Sequence, residues 1–272
     1  NIFLDILFVA IFKWGVAGVA WATFIAQGIA CVLAMISLII RIKTVDNEKT
    51  TEYFSFPMLA RVTYIAVPSI LQQSFISIGN IFIQGRVNSF GSSVIAGYSA
   101  GVKLNTFALT SFTTIGNAMS TFAAQNVGAG KFDRVKQGLK TSLTFCFCIV
   151  VPFLIIFVAF GRQALGLFMT ADSMDAIQCG MLFLKIIAPF YLVISAKIVV
   201  DGLMRGAGAM FAFTTSTFLD LILRVILAFV FSGIMDSATG IWLSWPFGWT
   251  IATVLSFVFY FRGSWRKGIS MK

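Results

Sequence analysis

From Val16 to Ile40 the sequence carries no charged residue. A bilayer's hydrocarbon core needs about 20 apolar residues of helix to cross it. Runs of this length recur along the chain, separated by polar turns and basic residues. Ten-residue alternating segments, the mark of a membrane β-barrel, are absent, so the backbone must satisfy itself as helix. The runs predict an all-α polytopic membrane protein with helices at 1–12, 16–40, 61–85, 91–122, 141–160, 177–200, 209–233 and 238–261. The mean hydropathy of +0.93 and a charged fraction of only 11% fit this class, since soluble domains are about a quarter charged.

A net charge of +10 raises the question of nucleic acid. The basic residues lie between the apolar runs, however, as the positive-inside rule expects, and this argues for a bilayer partner and no nucleic acid. Arg41, Lys43, Lys49 and Arg61 flank one polar stretch, Lys131, Arg134, Lys136 and Lys140 another, and Arg262, Arg266, Lys267 and Lys272 the tail. Lys13, Arg86 and Arg162 fall at the opposite ends. The 43–60 linker, the 123–140 loop and the C-terminus are therefore expected on the cytoplasmic side of an inner membrane. With no His, a zinc site or a Ser-His-Asp triad is excluded. Cys31, Cys146 and Cys148 fall inside apolar runs and Cys179 at the start of one, which is no disulfide framework. Nothing here points to an enzyme. A membrane-embedded transferase would show clustered acids for Mg²⁺ or a boundary His.

Ionisable residues at membrane depth are functional candidates unless paired. Asp5 has only Asn1 for polar company at helical spacing. A hairpin turning near Gly15 puts Asp5 about 15 Å and Thr23 about 12 Å from the turn. Asn1, Asp5 and Thr23 then approach one level and offer a proton or hard-cation site. Asp220 has Arg224 at i+4, which predicts an intrahelical pair. Asp201, with Lys197 at i−4 and Arg205 at i+4, reads as a solvated charge cluster at a helix end.

Two polar stripes follow a period of about 3.6. One is Ser69, Gln73, Ser77, Asn80 and Gln84; the other is Ser99, Lys103, Thr106, Thr110, Thr113, Asn117 and Thr121. Gln73, Ser77, Asn80, Lys103, Thr106, Thr110 and Asn117 are the expected wall of a substrate cavity. Pro68, Pro152, Pro189 and Pro246 fall inside predicted helices, where each permits a kink.

The chain also repeats itself. Phe3-Leu4-Asp5 is echoed by Phe218-Leu219-Asp220, and each is followed by a turn and a Gly-led helix, at Gly15-Val16-Ala17-Gly18 and Gly240-Ile241-Trp242. Parallel repeats of this kind occur in transporters. If the unit is six helices, residues 1–42 are the last two helices of one lobe and 61–272 a complete second lobe. The first helix, opening without Met inside an apolar run, is then expected to be cut short.

The stretch Thr121-Phe122-Ala123-Ala124-Gln125-Asn126-Val127-Gly128-Ala129-Gly130-Lys131-Phe132-Asp133-Arg134-Val135 resembles the loop after the eighth helix of multidrug and toxic compound extrusion (MATE) transporters. Pro68-Ser69-Ile70-Leu71-Gln72-Gln73 is similar to their seventh helix, and Gly202-Leu203-Met204-Arg205-Gly206-Ala207-Gly208 to the end of their tenth. The resemblance implies a twelve-helix antiporter of two lobes, of which this chain supplies helices five to twelve. It implies export of an organic cation driven by H⁺ or Na⁺, with no cofactor beyond the coupling ion, by a monomer. In one branch an Asn and an Asp four apart on helix five, and a Thr on helix six, help to hold that ion. Asn1, Asp5 and Thr23 match them. Another branch uses acids on helices seven and ten, but Ser69 to Gln84 contains none. A lipid-linked oligosaccharide flippase of the same superfamily stays open beside the antiporter, because Lys103 would suit a diphosphate.

Overall fold

The computed structural model describes residues 1–44, 54–169 and 174–267, and every element among them is helical. The chain divides into two units, Asn1–Phe56 and Pro57–Lys272.

In the first unit α1 (Ile2–Ile6) continues through a π-helical turn, Leu7–Ile11, and the chain reverses before α2 (Gly15–Thr44). The reversal is made by Lys13 and Gly15, at φ of 58° and 57°. Glycine adopts this left-handed region without penalty, and that is why the turn falls where the sequence placed it. Phe8, Phe12 and Trp14 cluster at the turn, with ring centroids 5.0–5.8 Å apart. Gly18 lets α2 approach close to the carbonyl of Phe8, since a Cβ there would lie 3.1 Å from that oxygen.

The second unit comprises α3 (Phe56–Asn88), α4 (Ser92–Gly128), α5 (Phe132–Ala159), α6 (Gly161–Gly166), α7 (Met174–Ile187), α8 (Tyr191–Gly206), α9 (Met210–Met235), α10 (Ala238–Phe261) and α11 (Ser264–Lys267). The expected helix at 238–261 has the observed bounds. Others run longer: α3 and α5 begin well before 61 and 141, and α4 continues to Gly128. The extra turns of α4 and α5 are polar, and hydropathy alone does not see them, whereas that of α3, Phe56-Pro57-Met58-Leu59-Ala60, is apolar and adjoins the polar linker. Much of the expected 43–60 linker, residues 45–53, lies outside the described residues. The expected 177–200 helix is interrupted: Pro189 sits in a 3₁₀ turn, Ala188–Phe190, between α7 and α8. Pro has no N–H to give to the α-helical ladder, so the helix tightens there.

Six helices among the described residues are long and apolar enough to cross a membrane, α7 and α8 counting as one span. This is a multi-pass membrane protein. Eight spans were expected. The Ile2–Ile11 segment is apolar but short, and α4 falls outside the six because its polar stripe dilutes its hydropathy.

The core of this unit has two parts. Tyr98 on α4 stacks on Trp242 of α10 at 4.8 Å, with Phe183, Trp245 and Trp249 around them. Met119, Val135, Leu139, Val199, Leu203, Phe213 and Trp265 fill the other part. Between them α8 crosses α4 closely, because a Cβ on Gly202 would overlap the backbone of Gly116. Any side chain at Gly202 would push these helices apart.

The two family-like loops are helix stops. After α4 the N–H of Lys131 bonds the carbonyl of Asn126 at 2.8 Å around Gly130, at φ 69°. After α8 the N–H of Ala209 bonds the carbonyl of Met204 at 2.9 Å around Gly208, at φ 74°. Each is a six-to-one bond closed over a left-handed residue, and this accounts for the glycines at those places in the motifs.

Candidate functional site

The second unit contains a half-open cavity of about 220 Å³. Gln72 of α3, Thr113 and Asn117 of α4, and Trp249 of α10 line it, together with the charged faces of α8 and α9. On α8 these are Lys197, Asp201 and Arg205, one turn apart. On α9 they are Thr217, Asp220 and Arg224.

Asp201 and Lys197 are only 6% and 4% exposed, so this is no solvated cluster. Lys197 Nζ lies 2.6 Å from Asp201 Oδ2. The Ser256 hydroxyl on α10 donates to Asp201 Oδ1, also at 2.6 Å. Ser216 on α9 lies 2.5 Å from Ser256; with the Ser256 proton committed to Asp201, Ser216 is the donor. Both carboxylate oxygens are thus satisfied, and three helices are tied together. The sequence placed this cluster at a helix end, but α10 folds over it and removes the solvent.

Asp220 and Arg224 differ. They are 6% and 8% exposed, yet the ion pairs among the described residues are Lys197–Asp201 and Lys136–Asp133, and the expected Asp220–Arg224 pair does not form. Asp220 Oδ1 and Arg224 Nε make no hydrogen bond. The guanidinium instead lies 4.7 Å from the ring centroid of Trp245, a cation–π contact. Asp220 Oδ1 faces Gly248, where a Cβ would come within 3.0 Å of it. The α10 surface draws the two charges apart. Gln72 donates to the Thr217 hydroxyl at 3.3 Å, which links α3 to this wall.

Of the expected cavity residues only Asn117 lines this cavity, where its Oδ1 accepts from Arg205 Nη2 at 2.6 Å. Gln73, Ser77 and Asn80 lie on an exposed face of α3, and Lys103, Thr106 and Thr110 on an exposed face of α4. The hydroxyls of Ser77, Thr106 and Thr110 each donate to the carbonyl four residues back, at 2.8–3.1 Å. These bonds occupy the hydroxyl protons and leave each oxygen able to accept. Lys103 Nζ sits 5.6 Å from the Phe168 ring.

In the first unit Asp5 is half-buried, while Asn1 and Thr23 are exposed. The Asp5 N–H bonds the Asn1 carbonyl at 2.8 Å, which confirms one helical turn between them. Asp5 Oδ1 is buried and makes no hydrogen bond, and no side-chain bond joins it to Asn1 or Thr23.

The sequence reading took Asp220 and Arg224 for an intrahelical pair and Lys197 and Asp201 for a solvated cluster, and so did not bring the four to one cavity. The signal that would have found them is the rule it applied to Asp5: charge inside an apolar run marks a site.

Membrane-spanning helices with carboxylates and cations buried among them define a transporter-like bundle. The MatE family profile matches residues 68–230, and the chain belongs to the MatE family. It is 29% identical over 275 residues to the probable multidrug resistance protein YpnP of Bacillus subtilis (strain 168), covering 98% of this chain and 59% of that protein. To the probable multidrug resistance protein YoeA of the same strain it is 26% identical over 260 residues, covering 94% and 56%. The chain therefore spans little more than half the length of these curated relatives. Its fold matches a crystal structure of MATE in complex with MaL6 at a TM-score of 0.87 and 17% identity, over 97% of this chain and 60% of that one.

Proposed function

We propose that the whole protein is a secondary active exporter of organic solutes, an antiporter driven by inward H⁺ or Na⁺ and working by alternating access between two lobes. In this reading residues 61–272 supply one lobe, residues 1–42 part of the other, and residues 43–60 link them. Membership of the MatE family and the multidrug resistance relatives support solute export. The single observation that carries the coupling role is Asp5, whose buried Oδ1 has no hydrogen-bond partner. A carboxylate oxygen without a partner is open to a cation or a donor, and Asn1 and Thr23 are the oxygen-bearing side chains that the sequence offers beside it. Filling that site would favour one packing of the lobes and loosen the solute bound in the other.

The protein would sit in the inner membrane as a monomer, with the 43–60 linker, the 123–140 loop and the C-terminus cytoplasmic, and would use no cofactor but the coupling ion. Its substrates would include organic cations, carried along the exposed polar faces of Gln73, Ser77 and Asn80 and of Lys103, Thr106 and Thr110.

The test is ethidium efflux by the full-length protein in vesicles under an imposed pH or Na⁺ gradient. Asp5→Asn is expected to abolish gradient-driven efflux while membrane insertion is unchanged. Efflux at the wild-type rate with the wild-type ion dependence would remove Asp5 from the mechanism.

A further inference from the structure

A second cavity, an open groove of about 430 Å³, lies between α4 and α5. One wall is Ala118, Met119 and Phe122 of α4, and the other is Arg134, Gln137 and Thr141 of α5. Ala118 and Phe122 stand about 100° and 140° round α4 from Asn117, so the groove is on a different face from the cavity described above. Gly138 belongs to the α5 wall, and the Phe122 ring lies so close over it that a Cβ there would overlap the ring. From Arg134 to Ser142 the groove follows α5 for about 12 Å. The expected apolar run of this helix opens at 141, so Arg134 stands outside the run while Thr141 and Ser142 stand at its edge. The groove therefore spans the level of the lipid head groups.

Its surroundings are cationic. Across α4, α5 and α11 the sequence has one acid, Asp133, and Lys136 holds its Oδ1 at 2.9 Å. Arg134 is exposed and belongs to neither of the ion pairs found among the described residues. Lys131 precedes it and Lys140 follows it. Trp265 of α11 packs edge-on against Phe132 at 5.8 Å and carries Arg266 over its ring, which brings a further cation to the start of α5. A guanidinium fork takes phosphate oxygens, and basic pockets between membrane helices suit anionic head groups. Beside that fork, Ala118, Met119 and Phe122 offer apolar surface that only a hydrocarbon chain would use. A soluble phosphate would satisfy Arg134 and leave that wall wet; a phospholipid uses both.

We propose that the groove between α4 and α5 binds one anionic phospholipid, with its phosphate on Arg134 and Gln137 and the start of an acyl chain against Ala118, Met119 and Phe122. The site stands apart from the exporter reading, since it needs neither a transported solute nor an ion gradient. Its outcome is therefore separate from that of the Asp5→Asn efflux test.

The experiment is native mass spectrometry of the full-length protein in detergent, with dioleoylphosphatidylglycerol or dioleoylphosphatidylcholine added. One phosphatidylglycerol is expected to be retained, about tenfold or more tightly than phosphatidylcholine. Arg134→Gln should abolish that preference, a loss of about tenfold, because a charge-assisted hydrogen bond to the phosphate goes. Lys140→Gln removes a charge from the same flank but not from the groove, and should change the affinity by less than about twofold. Ala118→Trp, at an exposed position, fills the apolar wall and should weaken phosphatidylglycerol several-fold with every charge in place. If Arg134→Gln does not elute as a monodisperse protein, the Ala118 variant carries the test. Glycerol 3-phosphate, a phosphate monoester without chains, should not displace the lipid at equal concentration. Equal retention of the two lipids by the wild type, or unchanged affinity in the folded Ala118→Trp protein, would overturn the proposal. So would equal losses in Arg134→Gln and Lys140→Gln, which would mean diffuse attraction by the basic flank. Displacement by glycerol 3-phosphate would make this a soluble-anion site and overturn it as well.

Discussion

Two buried charge pairs share the second unit and one spacing, yet only one of them is a pair. Lys197 and Asp201 on α8 meet at 2.6 Å, and Ser256 bonds the remaining carboxylate oxygen. Asp220 and Arg224 on α9 stand equally four apart but leave an oxygen and a nitrogen without partners. The difference lies in what α10 presents to each. Opposite Asp201 it offers a hydroxyl; opposite Arg224 it offers the face of Trp245, and opposite Asp220 the bare Cα of Gly248. A hydroxyl completes a charge pair, whereas an aromatic face competes with it. The first arrangement serves stability. The second leaves two buried polar atoms without partners, at a standing cost to the fold.

Breaking the closed pair should have the largest effect. Lys197→Met leaves Asp201 buried without its cation, and a loss of about 3–5 kcal/mol is expected. It would be seen as a large drop in the unfolding temperature of the detergent-purified protein; a drop no larger than that of an exposed substitution such as Lys185→Met would mean the pair is not closed. Ser256→Ala removes one hydrogen bond to a charged oxygen and should cost about 1.5–3 kcal/mol, measured the same way. The open pair should respond least. Asp220→Asn keeps the shape and gives up no protein hydrogen bond through Oδ1, so its unfolding temperature is expected to stay within about 1 kcal/mol of the wild type. A double-mutant cycle sharpens the contrast. Lys197→Met with Asp201→Asn should show a coupling of at least about 1.5 kcal/mol, while Asp220→Asn with Arg224→Gln should be additive within about 0.5 kcal/mol. Equal couplings at the two sites would erase the distinction.

The sequence by itself determined the class of this protein and much of its outline. Uncharged runs longer than a bilayer is thick fold only as membrane helices, which is why 238–261 was legible to the residue. The reversal near Gly15 was equally legible, because left-handed backbone demands a residue type that local sequence displays, whereas the stops at Gly130 and Gly208 fall beyond the expected ends at 122 and 200. Helix ends were less so: the polar first turns of α5 look like a loop until the helix continues through them. The fate of the charges could not be read at all. Spacing of four residues announces which side chains share a helix face, and it is identical in 197–201 and 220–224. What closes one pair and opens the other comes from α10: Ser256 lies 55 residues beyond Asp201, while Trp245 and Gly248 face the two charges of α9. Burial, partner and cavity all depend on that third helix. A local pattern proposes a contact; the packing of a distant helix, through its own side chains, decides whether it is made.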